Sequence, residues 1–439
     1  MSLQANFTFD RAGQGLFYYG QIYWGEKSFP FVYDCGTDIN IKGASNNLSL
    51  IIKNNNFINN RIGLLAISHF DMDHVSHIPE LLRKYKIDTV MLPYIKKELR
   101  AVFFAKNVSW FYDYGESEDI DLEKIQELAQ LFGDPIGYFS ERGNVRQIIG
   151  IQGDEEDFGN NLEPTEQFEP NNNEYNEDYP VLRYMEGGYK NSEDKHFNFS
   201  IYSGSPFFRV TTKGFSWLFR PLNIQEKLNP EFYKKVEQKL IPYNNDLRKL
   251  LSDDNAIKEL AKLYDSYIGR WNRNSHSLLL RHGPEGCCNS MLEKCKYHKL
   301  VCSKYLCCCK QCHKYCSYNN SVTVLLGDLK INKKAKDVLN KHKFLGFKTG
   351  TVLIPHHGAD SKDLLWLDKE IIKYKNYAVL VVSYGTANKY KNKSGIIHPR
   401  FIYDGTLADI ENTVAFANEK KKYHYGIRQG CCMYDFFKN

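Results

Sequence analysis

Four short apolar runs in this chain each end on small or polar residues, and that arrangement narrows the folds open to it. They are RIGLLAISH (61–69), SVTVLLGDL (321–329), GTVLIPHHG (350–358) and YAVLVVSYG (377–385). Apolar throughout and only a few residues long, they suit strands buried in the middle of a sheet. Helix-prone stretches follow most of them. In HVSHIPELLRKYK, Val75, Ile78, Leu81, Leu82 and Tyr85 form a helical stripe, and DIDLEKIQELAQLFG (119–133) is the clearest amphipathic segment. Strands alternating with helices predict an α/β architecture on central sheets.

Further strands are predicted in FTFDR, GLFYYGQIYW and FPFVYDCG, in IDTVMLP (87–93), FNFSIYSG (197–204), GFSWLFRPLN (214–223) and NSHSLLLRHG (274–283). NNLSLIIKNNNF (46–57) reads as helical or irregular, and residues 94–142 as helical. Three segments interrupt the pattern. Residues 152–196 are acidic and Asn-rich without apolar periodicity, which reads as a surface loop or disordered insertion. Residues 224–270 are charged and helix-prone, an inserted helical piece. Residues 284–320 hold nine of the twelve cysteines.

At 439 residues, 42% hydrophobic and 25% charged, the chain fits one large domain over 1–439 carrying those insertions. No apolar run approaches the roughly 18 residues that span a bilayer, and no basic-then-apolar leader opens the sequence, so a soluble, cytoplasmic protein without a membrane partner is expected. The net charge of +6 permits an anionic partner such as nucleic acid without requiring one. The 30 Tyr and 27 Phe could stack on bases, or simply reflect an Asn/Lys/Tyr-rich composition.

The strand ends carry the chemistry. LLAIS runs into His69-Phe70-Asp71-Met72-Asp73-His74, VTVLLG into Asp328, and TVLIP into His356-His357-Gly358. Ligand-type residues delivered from several buried strands converge on one rim of a sheet. Histidine with carboxylate suits Zn²⁺, Mn²⁺ or Fe.

These blocks resemble the metallo-β-lactamase-fold hydrolases, whose hallmark is H-x-[HDE]-x-D-H. More narrowly, they are similar to the hydrolase domain of the competence (ComEC) DNA-uptake proteins. The quoted blocks are Asp10 to Gly15, Asp34-Cys35-Gly36, Ser68 to His74, Asn274-Ser275-His276-Ser277, Leu325 to Asp328, Pro355 to Gly358, and Ser383, Gly385, Asn388, Tyr390, His398 and Pro399. The resemblance implies an αββα sandwich with two divalent metals at one edge. His69 and Asp71 would hold one ion and Asp73 and His74 the other, with Asp328 bridging and His356 or His357 completing the second site. A metal-activated water would then attack phosphorus or a carbonyl, and Asp73 would be indispensable.

Departures from that pattern leave alternatives open. The family usually has two glycines where this chain has Ser76-His77; His77 either narrows the cleft and meets substrate or is a helix-surface histidine. The third ligand of the first ion is Asn274 or His276. His398 is either a ligand or a leaving-group acid.

The Cys-rich segment offers Cys287, Cys288, Cys295, His298, Cys302, Cys307, Cys308, Cys309, Cys312, His313 and Cys316 as ligands for one or two structural zinc ions, the alternative being a reduced, Cys-biased loop. Its interleaved lysines either touch nucleic acid or are ordinary surface. The expectation is a dinuclear phosphodiesterase acting on DNA or RNA. The alternatives are a hydrolase of a small ester, cyclic nucleotide, lactone or thioester, and a scaffold that recruits a protein through the acidic loop or zinc knob.

Overall fold

The computed structural model describes residues 3–12, 15–37, 44–55, 60–114, 122–142, 145–153, 180–186, 189–194, 198–212, 215–226, 228–268, 276–284, 322–346, 349–358, 361–374, 378–383, 413–417, 423–429 and 433–435. The strands are β1 (Leu3–Phe9), β2 (Gly15–Trp24), β3 (Lys27–Thr37), β4 (Arg61–Ala66), β5 (Lys86–Tyr94) and β6 (Gln147–Gln152). They continue with β7 (Leu182–Glu186), β8 (Tyr189–Asp194), β9 (Phe199–Ser203), β10 (Phe207–Thr212), β11 (Phe215–Ile224) and β12 (Ser277–Pro284). The last are β13 (Val322–Leu325), β14 (Thr349–Leu353), β15 (Val379–Ser383), β16 (Thr413–Ala417), β17 (Tyr423–Gln429) and β18 (Met433–Asp435).

Two sheets result. One runs β18-β17-β1-β2-β3-β4-β5-β6-β9-β8 and the other β16-β15-β14-β13-β12-β11-β10-β7. The first is parallel from β3 to β9, the second from β13 to β16. Parallel neighbours need crossovers, and helices supply those from β3 to β6 and from β13 to β15.

Alternation along the strands explains the stacking. In β3, Phe29, Phe31 and Tyr33 point to one face and Val32 to the other. Phe31, Tyr33 and Leu64 of the first sheet share an apolar core with Trp217, Phe219, Leu280 and Leu353 of the second. The opposite face of the first sheet, with Val32, Leu65 and Val90, packs on Leu81, Phe104, Leu128 and Leu260 of helices. The opposite face of the second, with Leu279, Val324 and Leu380, packs on Leu339 of helix Lys333–Lys341 and Leu364 and Ile371 of helix Ser361–Lys373. The layers are therefore helices, sheet, sheet, helices.

One segment differs from the sequence reading. Within 152–196 the chain forms β7 and β8, one strand at the edge of each sheet, while residues 154–179 lie outside the described residues. The helices expected in 224–270 are present and pack into the main core. Phe232 and Val236 of helix Pro230–Leu240 and Ile257 and Leu260 of helix Asp254–Tyr267 are buried in the same core as Phe104 and Leu128. Among the described residues, no helix is long and apolar enough to cross a membrane.

Candidate metal centre

The chain leaves β4 at Ala66, and Ser68 to His74 follow at once, ending in a short helix, Met72–Val75. Asp71 caps that helix in extended conformation but makes no side-chain cap bond, so its carboxylate is not spent on the helix. Asn107 supplies the polar contacts instead, its Oδ1 3.5 Å from Met72 N and its Nδ2 3.5 Å from Asp71 Oδ1. From the second sheet, β13 delivers Asp328 and β14 delivers His357. His356 and His357 both hold left-handed backbone, with φ of 51° and 50°, which turns His357 inward and leaves His356 exposed.

The ligand-type atoms fall into two overlapping groups: Asp73, His74, Asp328 and His357, and His69, Asp71 and Asp73, with all atoms of a group within 4.8 Å of one another. The carboxylate common to both is Asp73; Asp328 belongs to the first group alone. His356 stands in neither.

Proton positions follow from the bonding. The buried Asp34 carboxylate accepts from Ser68 N at 2.6 Å, Ser68 Oγ at 2.6 Å and His74 Nδ1 at 2.8 Å. A carboxylate only accepts, so His74 Nδ1 carries a proton and Nε2 is the atom left to face the centre. Ser68 gives its single proton to Asp34, so His69 Nδ1, 2.8 Å from Ser68 Oγ, must donate to it. His357 Nδ1 donates to the Ser383 carbonyl at 2.7 Å. Each histidine thus turns its Nε2 toward the carboxylates, where that atom donates when protonated and would offer its lone pair to a bound ion. His74 Nε2 lies 3.3 Å from Asp328 Oδ1, His357 Nε2 lies 3.1 Å from Asp73 Oδ2, and His69 Nε2 lies 3.6 Å from Asp71 Oδ2.

The buried Nε2 atoms of His69 and His74 make no hydrogen bond. Unsatisfied buried imidazole nitrogens beside several carboxylates are what a divalent cation would satisfy, so the residues fit a metal. Burial opposes charge on Asp328, but protonated His357 and His74 outweigh it and hold its carboxyl well below the usual range, a part that a divalent cation would take over from those protons. Burial likewise opposes charge on Asp73, and His74 and His357 outweigh it.

Asp34 reaches the centre through a β-bulge. Phe17 pairs with Cys35 and Tyr18 with Tyr33, so Asp34 is the extra residue of β3, left-handed at φ 59°. Close packing then locks the ligand helix. A Cβ at Gly36 would fall 2.5 Å from the His74 carbonyl carbon and 2.6 Å from that of Asp73. Ser76 Oγ accepts from Thr37 N at 3.0 Å and donates to Thr37 O at 2.9 Å.

The remaining residues singled out in the sequence fall elsewhere. His77 is neither on a surface nor in the cleft. It is fully buried behind the ligand helix, with Nδ1 3.0 Å from Ser76 Oγ and Nε2 3.4 Å from Lys124 Nζ. Because Ser76 Oγ already donates to Thr37, His77 Nδ1 is the donor. His276 joins neither ligand group; its Nε2 meets the Glu226 carbonyl at 3.1 Å, and burial pushes its pKa down to about 4. Asn274, His398 and the eleven Cys and His of the Cys-rich segment lie outside the described residues.

Sequence reasoning gave no role to Asp34, Ser68 or Asn107. For Asp34 the available sign was a carboxylate inside an otherwise apolar strand, next to Gly36. The chain matches no protein-family model and no curated protein.

Proposed function

We propose that the protein is a metal-dependent hydrolase of the metallo-β-lactamase type that cleaves phosphodiesters, with DNA or RNA as substrate. The observation that carries the reading is the set of three histidine Nε2 atoms facing Asp71, Asp73 and Asp328, two of them buried without a hydrogen bond. The helix–sheet–sheet–helix layering and the order of the motif blocks support the same assignment.

His69, Asp71 and Asp73 would hold one divalent ion, zinc or manganese, and Asp73, His74, Asp328 and His357 the other. Two such ions would supply a water nucleophile near neutral pH and offset the charge on the leaving oxygen. The chain's own part is preorganisation. Asp34 and Ser68 fix the histidine tautomers, Ser383 holds His357, and Gly36 lets the ligand helix lie flat on β3. The Cys-rich segment is proposed to hold structural zinc and to touch the nucleic acid or a protein partner. The net charge of +6 favours a polyanionic substrate over a small ester.

The test is metal analysis of the purified full chain, with hydrolysis of bis(p-nitrophenyl) phosphate and of labelled single- and double-stranded DNA and RNA in Mn²⁺ and Zn²⁺. Asp73→Ala should lose both centre ions and at least ~10³-fold in rate. Full activity in a well-folded Asp73→Ala protein, or metal confined to the Cys-rich segment, overturns the reading.

A further inference from the structure

His77, which joins neither ligand group, belongs to a chain of hydrogen bonds behind the ligand helix. Its ring is fully buried, and its backbone N–H is held by the Cys35 carbonyl at 2.9 Å. It is the cap residue of helix Ile78–Lys84, yet its side chain makes no cap bond. The ring lies instead between Ser76 Oγ, 3.0 Å from Nδ1, and Lys124 Nζ, 3.4 Å from Nε2. Ser76 in turn exchanges two bonds with the Thr37 backbone, at 3.0 and 2.9 Å.

Both ends of this chain demand the same proton order. Lys124 approaches from helix Leu122–Gly133 with its side chain 12% exposed, and its ammonium is paired with Glu80 Oε1 at 3.4 Å. An ammonium has donors only, so the His77 nitrogen that it meets must accept. Nε2 therefore holds the lone pair and Nδ1 the proton. At the other end, Ser76 Oγ takes the Thr37 N–H and gives its single proton to the Thr37 carbonyl, so toward Nδ1 it can only accept. The opposite tautomer would set an N–H against the ammonium. Glu80 Oε1, 3.8 Å from Nε2, is too distant to accept it. The ligand segment is thus bracketed by two one-way groups. Acceptor-only Asp34 orders Ser68, His69 and His74, and donor-only Lys124 orders His77 and Ser76.

We propose that Lys124 is a positioning residue for the metal centre, acting through the tautomer of His77 and the hydroxyl of Ser76. It deepens the hydrolase reading and rests on that reading's choice of Asp73 and His74 as metal ligands. The mechanical path is short. Ser76 follows the ligand helix Met72–Val75 directly, and its N–H is bonded to the Met72 carbonyl at 2.9 Å. Thr37 ends β3, one residue past Gly36, on which the Asp73 and His74 backbone rests. Without the ammonium, His77 is free to move its proton to Nε2. Ser76 Oγ must then turn its own proton to Nδ1 and release the Thr37 carbonyl. One of the two bonds that hold the end of the ligand helix on β3 is lost, and Asp73 and His74 are held less firmly for an ion.

The test measures Co²⁺ affinity of the metal-stripped full chain by competition with a chromophoric chelator. Asp73→Ala serves as the blank that separates the centre from the Cys-rich segment, and a urea curve in EDTA verifies each fold. Lys124→Met should weaken binding at the centre by about fivefold or more, near the low end for outer partners of metal ligands. In the His77→Asn background the same replacement should change affinity by less than about twofold, because an Asn amide keeps an N–H for Ser76 but does not reach Lys124. His77→Gln, whose amide reaches Lys124 and not Ser76, should fall with Lys124→Met. Glu80→Gln, which removes the ion pair and leaves the ammonium on His77, should bind as the wild type does. Equal losses from Lys124→Met in both backgrounds mark a plain packing role and overturn the proposal, as does wild-type affinity in folded Lys124→Met. Should Lys124→Met fail to fold, the two His77 variants decide: His77→Gln binding as tightly as His77→Asn overturns it. A wild-type chain that takes up no more cobalt than Asp73→Ala overturns the hydrolase reading itself, and the proposal with it.

Discussion

Replacing Asp34 by Asn changes almost no volume but should disable two ligands at once. In the wild type, one carboxylate oxygen takes Ser68 N at 2.6 Å, and the other takes Ser68 Oγ and His74 Nδ1 at 2.6 and 2.8 Å. An amide that keeps its oxygen on Ser68 N turns its NH₂ toward the other two groups. His74 must then accept at Nδ1 and carry its proton on Nε2, the atom that faces Asp328. Ser68 Oγ no longer has an acceptor at Asp34, which also frees the tautomer of His69. Second-layer partners of metal-binding histidines typically contribute 10- to 100-fold in affinity, or about 1.4–2.7 kcal/mol. Asp34→Asn should therefore weaken zinc binding by at least about tenfold, with two histidines affected and the upper end within reach. The assay is competitive titration against a chromophoric chelator at pH 7.5, with a denaturation curve in EDTA to separate folding from binding. Wild-type affinity in folded Asp34→Asn would refute the tautomer argument, and loss of fold in EDTA would show that the bonds serve the bulge first.

Two further outcomes follow from burial. His276 and His282 are buried with pKa values pushed down by desolvation to about 4 and about 3. Both lie below the ~6.5 of an unfolded histidine, so the unfolded chain takes up those protons first, and stability is full above about pH 6.5 and falls as the pH drops toward the folded values. At pH 5 each should cost about 2 kcal/mol relative to pH 7.5, and urea midpoints at the two pH values should show it, with His282→Phe removing about half of the difference. Gly36→Ala forces a methyl into the Asp73–His74 backbone and should cost at least about 1–3 kcal/mol, read from urea midpoints in EDTA, together with loss of metal binding.

How much of this could be read from residues alone depended on how local each feature is. The buried parallel strands were legible because they sit in the middle of a sheet, apolar on both faces, as Leu64, Leu65, Val324 and Val352 show. The His69–His74 cluster was legible because five bonds of chain hold it together. β8 was not, since YKNSED at a sheet edge has no apolar alternation and takes its register from β9. The strands Gln147–Gln152 and Phe207–Thr212 were passed over although Gly143-Asn144 and Gly153 frame the first and Ser205-Pro206 and Gly214 the second, each being only six residues long. His77 could not be placed from sequence. Its burial depends on Lys124, which approaches from helix Leu122–Gly133, far along the chain. That His357 and not His356 turns inward goes with left-handed backbone at both residues, which spacing does not encode.

The ligand set is divided between the two sheets, and that division has a temporal side. His69 to His74 emerge from the ribosome roughly 250 residues before Asp328 and His357. Until the second half arrives, the first half can offer an ion only its own few donors, and Asp73 must wait for the histidine it will meet. Completing the coordination sphere therefore reports that both sheets have closed on each other. An ion bound there would act as a late rivet, joining the two sheets only once both are formed.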